Sequence, residues 1–210
     1  MHEAVIVSAV RTPLGSFNGS LGNIGATRLG AIVIEEAVKR AAIEKKTVNE
    51  VIMGIVLPCG YGQNPAKQAA VLADMPWETE CFTVNKVCGS GLKAIALGAS
   101  AIMTGSADVI IAGGQENMSQ VPMALPKARW GHRMELTGVG DVLDLMVFDG
   151  LWEIFYGYHM GVTAEAIAAM YDIGRQEQDE LGVLSHARAR SAINEGLFAQ
   201  EIAPVTIQTR

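Results

Sequence analysis

The stretch VNKVCGSGLKAIALGASAI, residues 84–102, decides the reading of this chain, because Cys88 sits where a strand-like apolar run gives way to a helical one. Three small residues, Gly89, Ser90 and Gly91, follow the thiol. A cysteine in the first turn of a helix faces unpaired backbone N–H groups and the positive end of the helix dipole, and both favour thiolate over thiol. Glycines on either side of Ser90 let the backbone approach whatever the sulfur attacks, and the Cys88 amide is a candidate oxyanion donor. From these residues alone, a nucleophile and a buried cysteine in a small-residue turn stand level. Cys59 and Cys81 read as buried cysteines.

Working outward, strand-like and helical patterns alternate. Val5 to Val10 is rich in β-branched residues, as in a strand buried on both faces, and a polar turn region follows it. Leu29, Ile32, Val33, Ala37 and Ala41 recur at helical spacing between Ala26 and Ala42. Val51 to Leu57 (VIMGIVL) is a second strand closed by Pro58. The run CGYGQNPAKQAAVLA leads into a helix that Pro65 starts. Its glycines at 60 and 62, with proline at 65, fail as a dinucleotide fingerprint. Cys81 to Asn85 is a third strand, Gly89 to Thr104 a small-residue helix and Val109 to Ala112 a fourth strand. This alternation implies an α/β fold with a largely parallel sheet and helical crossovers. After Ser119 the rhythm changes to a proline- and glycine-scattered excursion, then helices near 163–170 and 176–195 and a short strand from Ile202 to Ile207.

Composition excludes several classes. Half of the 210 residues are apolar, with no charge-rich tail, so a large core in one or two units is expected. With 16 basic and 22 acidic residues the net charge is -6 and no basic stripe exists, so nucleic acid is not an expected partner. The longest apolar stretch, Ile95 to Met103, is shorter than the roughly 20 residues of a membrane span, and the first residues lack the basic region of a signal peptide. Three cysteines without CxxC spacing argue against a disulfide framework and a metal site, and suggest a reducing, cytoplasmic setting. The sequons at Asn18 and Asn117 accordingly carry no glycosylation signal.

NKVCGSGLKAI (85–95) resembles the nucleophile loop of the thiolases, and of acetyl-CoA acetyltransferases in particular. VRTPLGSFNGSL (10–21), GQNPAKQAA (62–70), AGGQENMSQVP (112–122), DGLWEIFYGYHMGVTAE (149–165) and SHARARSAINEGLFAQEIAPV (185–205) are each similar to a thiolase segment, in family order. The resemblance implies the first half of the layered αβαβα fold: a core half at 1–118 that carries the nucleophile, then at 119–210 the first part of the loop domain for CoA binding and tetramerisation. It implies acylation of Cys88 by acetyl-CoA or a 3-ketoacyl-CoA, then reversible Claisen condensation to acetoacetyl-CoA. YGYHMG (156–161) is similar to the short-chain form, in which His159 and Met160 line the pantetheine and acyl pocket and Leu151 contacts the pantetheine arm. Coenzyme A thioesters are then substrates, with no resident cofactor. Residues 126 to about 143 resemble the loop through which tetrameric members pair dimers.

Other readings are plainer. His132 and His186 read as surface or interface residues, Lys86 and Lys93 as solvated or dimer-contacting, and Arg129 and Arg133 as charged loop residues and not CoA phosphate contacts. Three motifs of the family's second half are missing: Gly-His-Pro with the general base, Cys-x-Gly-Gly-Gly with the second cysteine, and Asn-Glu-Ala-Phe. This chain alone is therefore expected to be catalytically incomplete, as part of a longer chain or as one subunit of a split enzyme. Its partners would be copies of itself in a dimer or tetramer, or a second polypeptide with the missing half. A noncatalytic scaffold subunit is the alternative. Ketoacyl synthases and hydroxymethylglutaryl-CoA synthases also place a cysteine at a strand-to-helix junction, but NKVCGSG and YGYHMG argue against them.

Overall fold

A computed structural model describes residues 2–131 and 141–207. His132, Arg133 and the middle of the 126–143 loop lie outside the described residues. The chain forms two compact units, Met1–Gly150 with Ala203–Arg210, and Leu151–Ile202.

The first unit is built on a parallel sheet of three strands, β1 (Glu50–Gly54), β2 (Glu80–Val84) and β3 (Ile110–Gly114), in the order β2-β1-β3. Helix α1 (Ala26–Ala41) precedes β1, α2 (Pro65–Leu72) joins β1 to β2, and α3 (Ser90–Thr104) joins β2 to β3. The twofold alternation of a strand separates the faces. Val51 and Met53 pack with Ile34, Val38, Ala66, Ala69 and Ala70 of α1 and α2, and Ile111 joins them from β3. The opposite face takes α3: a Cβ built on Gly98 would lie 3.1 Å from Ile110 and 3.4 Å from Ala112. Helix α2 starts as its proline suggests, with Pro65 in the first turn and the Asn64 side chain accepting from the Lys67 amide. Asn64 also donates to Cys81 O at 2.9 Å, which ties the GQNPAKQAA segment to β2.

Two expected strands are not formed. Val5, Ile6 and Val7 are 65, 78 and 70 % exposed and lie outside the sheet. Ile202 to Ile207 contributes only a bridge at its start, with Ala203 N–H donating to Arg11 O at 2.7 Å. Strand propensity describes fit to a pleated, half-buried surface, and among the described residues neither run has a strand neighbour in register. The stretch Val87–Thr104 is also longer and more apolar than the segment read above, and by length and composition alone could cross a membrane. Its Ala94 is fully buried, and the contacts at Gly98 seat it on the sheet.

The remainder of the first unit holds a two-stranded antiparallel ribbon of β4 (Met123–Ala124) and β5 (Leu143–Asp144), followed by α4 (Leu145–Gly150). The second unit opens with an antiparallel pair, β6 (Trp152–Glu153) and β7 (Tyr158–His159), and continues through α5 (Met160–Met170) and α6 (Arg175–Asn194). None of its residues is buried.

Candidate active site

Parallel α/β sheets offer their ligand sites at the carboxyl ends of the strands. Here those ends lead into Ile55–Val56, Asn85–Cys88 and Gln115–Glu116. The start of α3 rests on this edge because three glycines allow it. A Cβ on Gly54 would stand 2.4 Å from the Ser90 carbonyl carbon and 2.6 Å from Gly91 N, and one on Gly114 3.4 Å from Gly91 Cα. No side chain larger than hydrogen fits at Gly54 without moving backbone.

Between β2 and α3 the chain makes a tight elbow. Val87 has φ 49°, the left-handed region that a β-branched residue rarely enters. Gly89 N donates to Lys86 O at 3.1 Å and Ser90 N to Val87 O at 3.0 Å. Ser90 is buried, its Oγ accepting from Lys86 N at 2.9 Å and donating to Val87 O at 2.6 Å. Asn85 Oδ1 accepts from Val87 N at 2.9 Å, while Asn85 Nδ2 donates to Val56 O at 3.0 Å. Cys88 itself is exposed on the crest of the elbow. Helix α3 begins at Ser90 with Gly89 as its N-cap, so Cys88 stands just outside the first turn. The N–H groups of Gly89 and Ser90 are spent within the elbow, so fewer of the helix-start donors face the sulfur than the sequence suggested.

Glu116, half-buried, anchors the segment after β1. Its carboxylate accepts from Val56 N at 2.7 Å and Leu57 N at 3.2 Å. Burial pushes its pKa up, and these two amide hydrogen bonds oppose the shift. Asn117 completes the AGGQENMSQVP segment by donating to Leu21, Gly22 and Ile24 carbonyls. The other two thiols are half-buried where Cys88 is exposed. Burial raises the pKa of Cys59, reinforced by its 3.5 Å hydrogen bond to Asp149, and burial raises that of Cys81. A raised pKa disfavours the thiolate, the nucleophilic form, at both.

In the second unit, Leu151, His159 and Met160 come together. His159 pairs with Trp152 across the β6–β7 ribbon, and Met160 N donates to Leu151 O at 2.8 Å. His159 is the N-cap of α5, its Nδ1 accepting from Gly161 N at 3.0 Å. That bond puts the proton of the neutral ring on Nε2, which is left as a donor. His159 and Met160 are exposed and Leu151 half-buried. His186 is exposed on α6. Among the described residues no group of three or more His, Cys, Asp or Glu side chains is placed to hold a metal.

Asn85, Ser90, Glu116 and Gly54 escape the sequence reading. Asparagine or serine beside a glycine-rich turn is a signal for side-chain-to-backbone bonds two or three residues away, which Asn85 and Ser90 make. The partners of Glu116 lie 59 and 60 residues from it, and no local pattern reveals them.

The description of the thiolase N-terminal domain matches residues 4–210. An acetyl-CoA acetyltransferase of Syntrophomonas wolfei is 52 % identical over 207 residues, covering 99 % of this chain and 52 % of that protein. Those of Cupriavidus necator and Escherichia coli are 51 % and 54 % identical, each covering 100 % of this chain and 53 % of the relative. The chain thus spans about half the length of the curated relatives it matches. A family match over nearly every residue, together with an exposed cysteine on a glycine-seated elbow at the carboxyl edge of a parallel sheet, places the chain in the thiolase family, as its N-terminal portion.

Proposed function

We propose that this chain supplies the acylated cysteine of an acetyl-CoA C-acetyltransferase. The Cys88 thiolate attacks the thioester carbonyl of acetyl-CoA and expels CoA thiolate, leaving an acetyl-enzyme. A second acetyl-CoA, deprotonated at its α-carbon, attacks that acetyl carbonyl; the Cys88 thiolate leaves and acetoacetyl-CoA is released. The reverse sequence cleaves a 3-ketoacyl-CoA. The observation that carries this reading is the exposure of Cys88 alone among three thiols, on an elbow held by side-chain bonds from both flanks.

In this reading Leu151, His159 and Met160 contact the pantetheine arm and acyl group of the substrate, with the His159 Nε2–H as a donor. Residues 1–118 act as the core half and 119–210 as the first part of the loop domain. The proton acceptor for Cys88 and the second cysteine come from outside these residues, whether later in one chain or on a second polypeptide, since none of the family's three second-half motifs occurs here. The setting is cytoplasmic and the assembly a homodimer or tetramer, or a pairing with that second polypeptide. The names of the relatives and the half-length match support the reading.

The test is mass spectrometry of the complete enzyme that carries these residues after exposure to acetyl-CoA. An added acetyl group on the peptide containing Cys88, and its loss together with turnover in Cys88→Ala, is the expected result. Unchanged turnover in Cys88→Ala would instead make this a scaffold subunit. The 210-residue chain on its own should show no more than trace thiolysis of acetoacetyl-CoA.

A further inference from the structure

We propose that Asn85 is the positioning residue for Cys88, clamping the strained elbow and fixing it to the segment that follows β1. The inference rests on the acyl-transfer reading above. Val87 at φ 49° is held in a strained backbone conformation for a β-branched residue. Such a conformation persists only where its surroundings over-determine it, and Val87 is itself exposed, so packing does not hold it. Hydrogen bonds do. On the helix side Ser90 Oγ holds Lys86 N and Val87 O. On the strand side Asn85 Oδ1 holds Val87 N.

Asn85 also does what Ser90 does not. Its Nδ2 reaches Val56 O, 29 residues away, just beyond β1. Val56 is fixed in turn, because its N–H lies 2.7 Å from a Glu116 oxygen and the adjoining Ile55 N donates to Val84 O at 3.1 Å. A rigid line therefore runs from the start of the segment after β3, through the segment after β1, to the amide of the residue before the nucleophile. Only a side chain with both an acceptor and a donor at this reach can serve both partners. Aspartate keeps the acceptor for Val87 N but sets an oxygen against Val56 O; alanine loses both bonds. A sulfur carried on an unclamped elbow spends less time in attack geometry, and a misplacement of about 1 Å can cost on the order of 100-fold in rate.

Four variants in the complete enzyme decide the matter: Asn85→Ala, Asn85→Asp, Val87→Gly and the Val87→Gly/Asn85→Ala double. Asn85→Ala should lower both kcat and the rate of Cys88 alkylation by iodoacetamide by about 10- to 100-fold, leaving KM for acetyl-CoA within about twofold. Asn85→Asp should lose nearly as much, which shows that the bond to Val56 O is required. Glycine enters positive φ without strain, so in a Val87→Gly background the Asn85→Ala loss should shrink by at least about fivefold. Wild-type kcat and alkylation in Asn85→Ala, or a loss of the same size in both backgrounds, would overturn the proposal. So would a loss confined to KM, or one that only follows a lowered melting temperature in every variant that carries an Asn85 substitution. If Cys88→Ala leaves acylation intact, the functional reading fails instead; if it abolishes acylation while Asn85→Ala is silent, positioning alone fails.

Discussion

The β-sheet unit and Leu151–Ile202 hold their functional residues by different means. Around Cys88, the local bonds of Ser90 and Asn85 to Lys86 and Val87 are tied to distant chain by Asn85 to Val56 and by Glu116 to Val56 and Leu57. Around His159 they are local: His159 to Gly161, Glu153 to Tyr156, Gly174 N to Glu177, Arg175 to Asp179. The first region buries a core and the second buries no residue. A substitution in the first therefore moves a nucleophile through backbone that cannot yield, while one in the second changes a turn or a cap and little more.

The same change at two glycines should make the contrast largest. At Gly54 a methyl group meets Ser90 and Gly91 backbone at 2.4 and 2.6 Å. Overpacking of this kind costs about 1–3 kcal/mol, and because backbone must shift, Gly54→Ala should reach about 3 kcal/mol by denaturant titration, with loss of Cys88 reactivity. Gly182 lies inside α6 with nothing within 4 Å of a new Cβ. There, Gly182→Ala should stabilise by about 0.5–1 kcal/mol, since alanine removes the entropic cost of a helical glycine. Two losses of similar size would dissolve the distinction between the regions.

Glu116→Gln should have an intermediate effect, about 1–3 kcal/mol, because an amide nitrogen would face one of the two backbone donors. Its pH dependence sharpens the point. Burial raises the Glu116 pKa above its unfolded value, so the group's contribution is fullest below about 4.3 and is lost as pH rises through the folded value. Glutamine does not titrate. The stability advantage of the wild type over Glu116→Gln should therefore shrink as pH is raised from 4 towards neutrality, and an advantage that grows would mean that the amide bonds outweigh burial.

Sequence and structure agree where a signal is local and periodic. Helix α1 follows its apolar spacing, α2 starts at Pro65, β2 and β3 fall within about a residue or two of the runs CFTVN and VIIA, and β1 ends three residues before the run VIMGIVL does. The junction that carries Cys88 was legible for the same reason, and the thiolase resemblance rested on it. Features that depend on distant partners were not legible. Val5 to Val10 has strand chemistry but no strand neighbour among the described residues, Gly54 gives no sign that a helix lands on it, and Glu116 bonds to residues about 60 positions away. The left-handed Val87 runs against its own residue type, so only a backbone position reveals it.

The smallest effect tests whether the local region is also a functional one. His159→Ala removes the acceptor for Gly161 N at the start of α5, a loss of about 1 kcal/mol that should stay within that unit. Asparagine is among the best N-cap residues, so His159→Asn should restore the helix start while removing the imidazole and its Nε2–H. If His159 serves only as a cap, His159→Asn will match wild type in both melting temperature and KM for acetyl-CoA. If it also binds substrate, as proposed, stability will return and KM will stay raised by about three- to tenfold, since one neutral hydrogen bond contributes about 1 kcal/mol. That split separates a residue that shapes its own turn from one that uses the turn to present a donor.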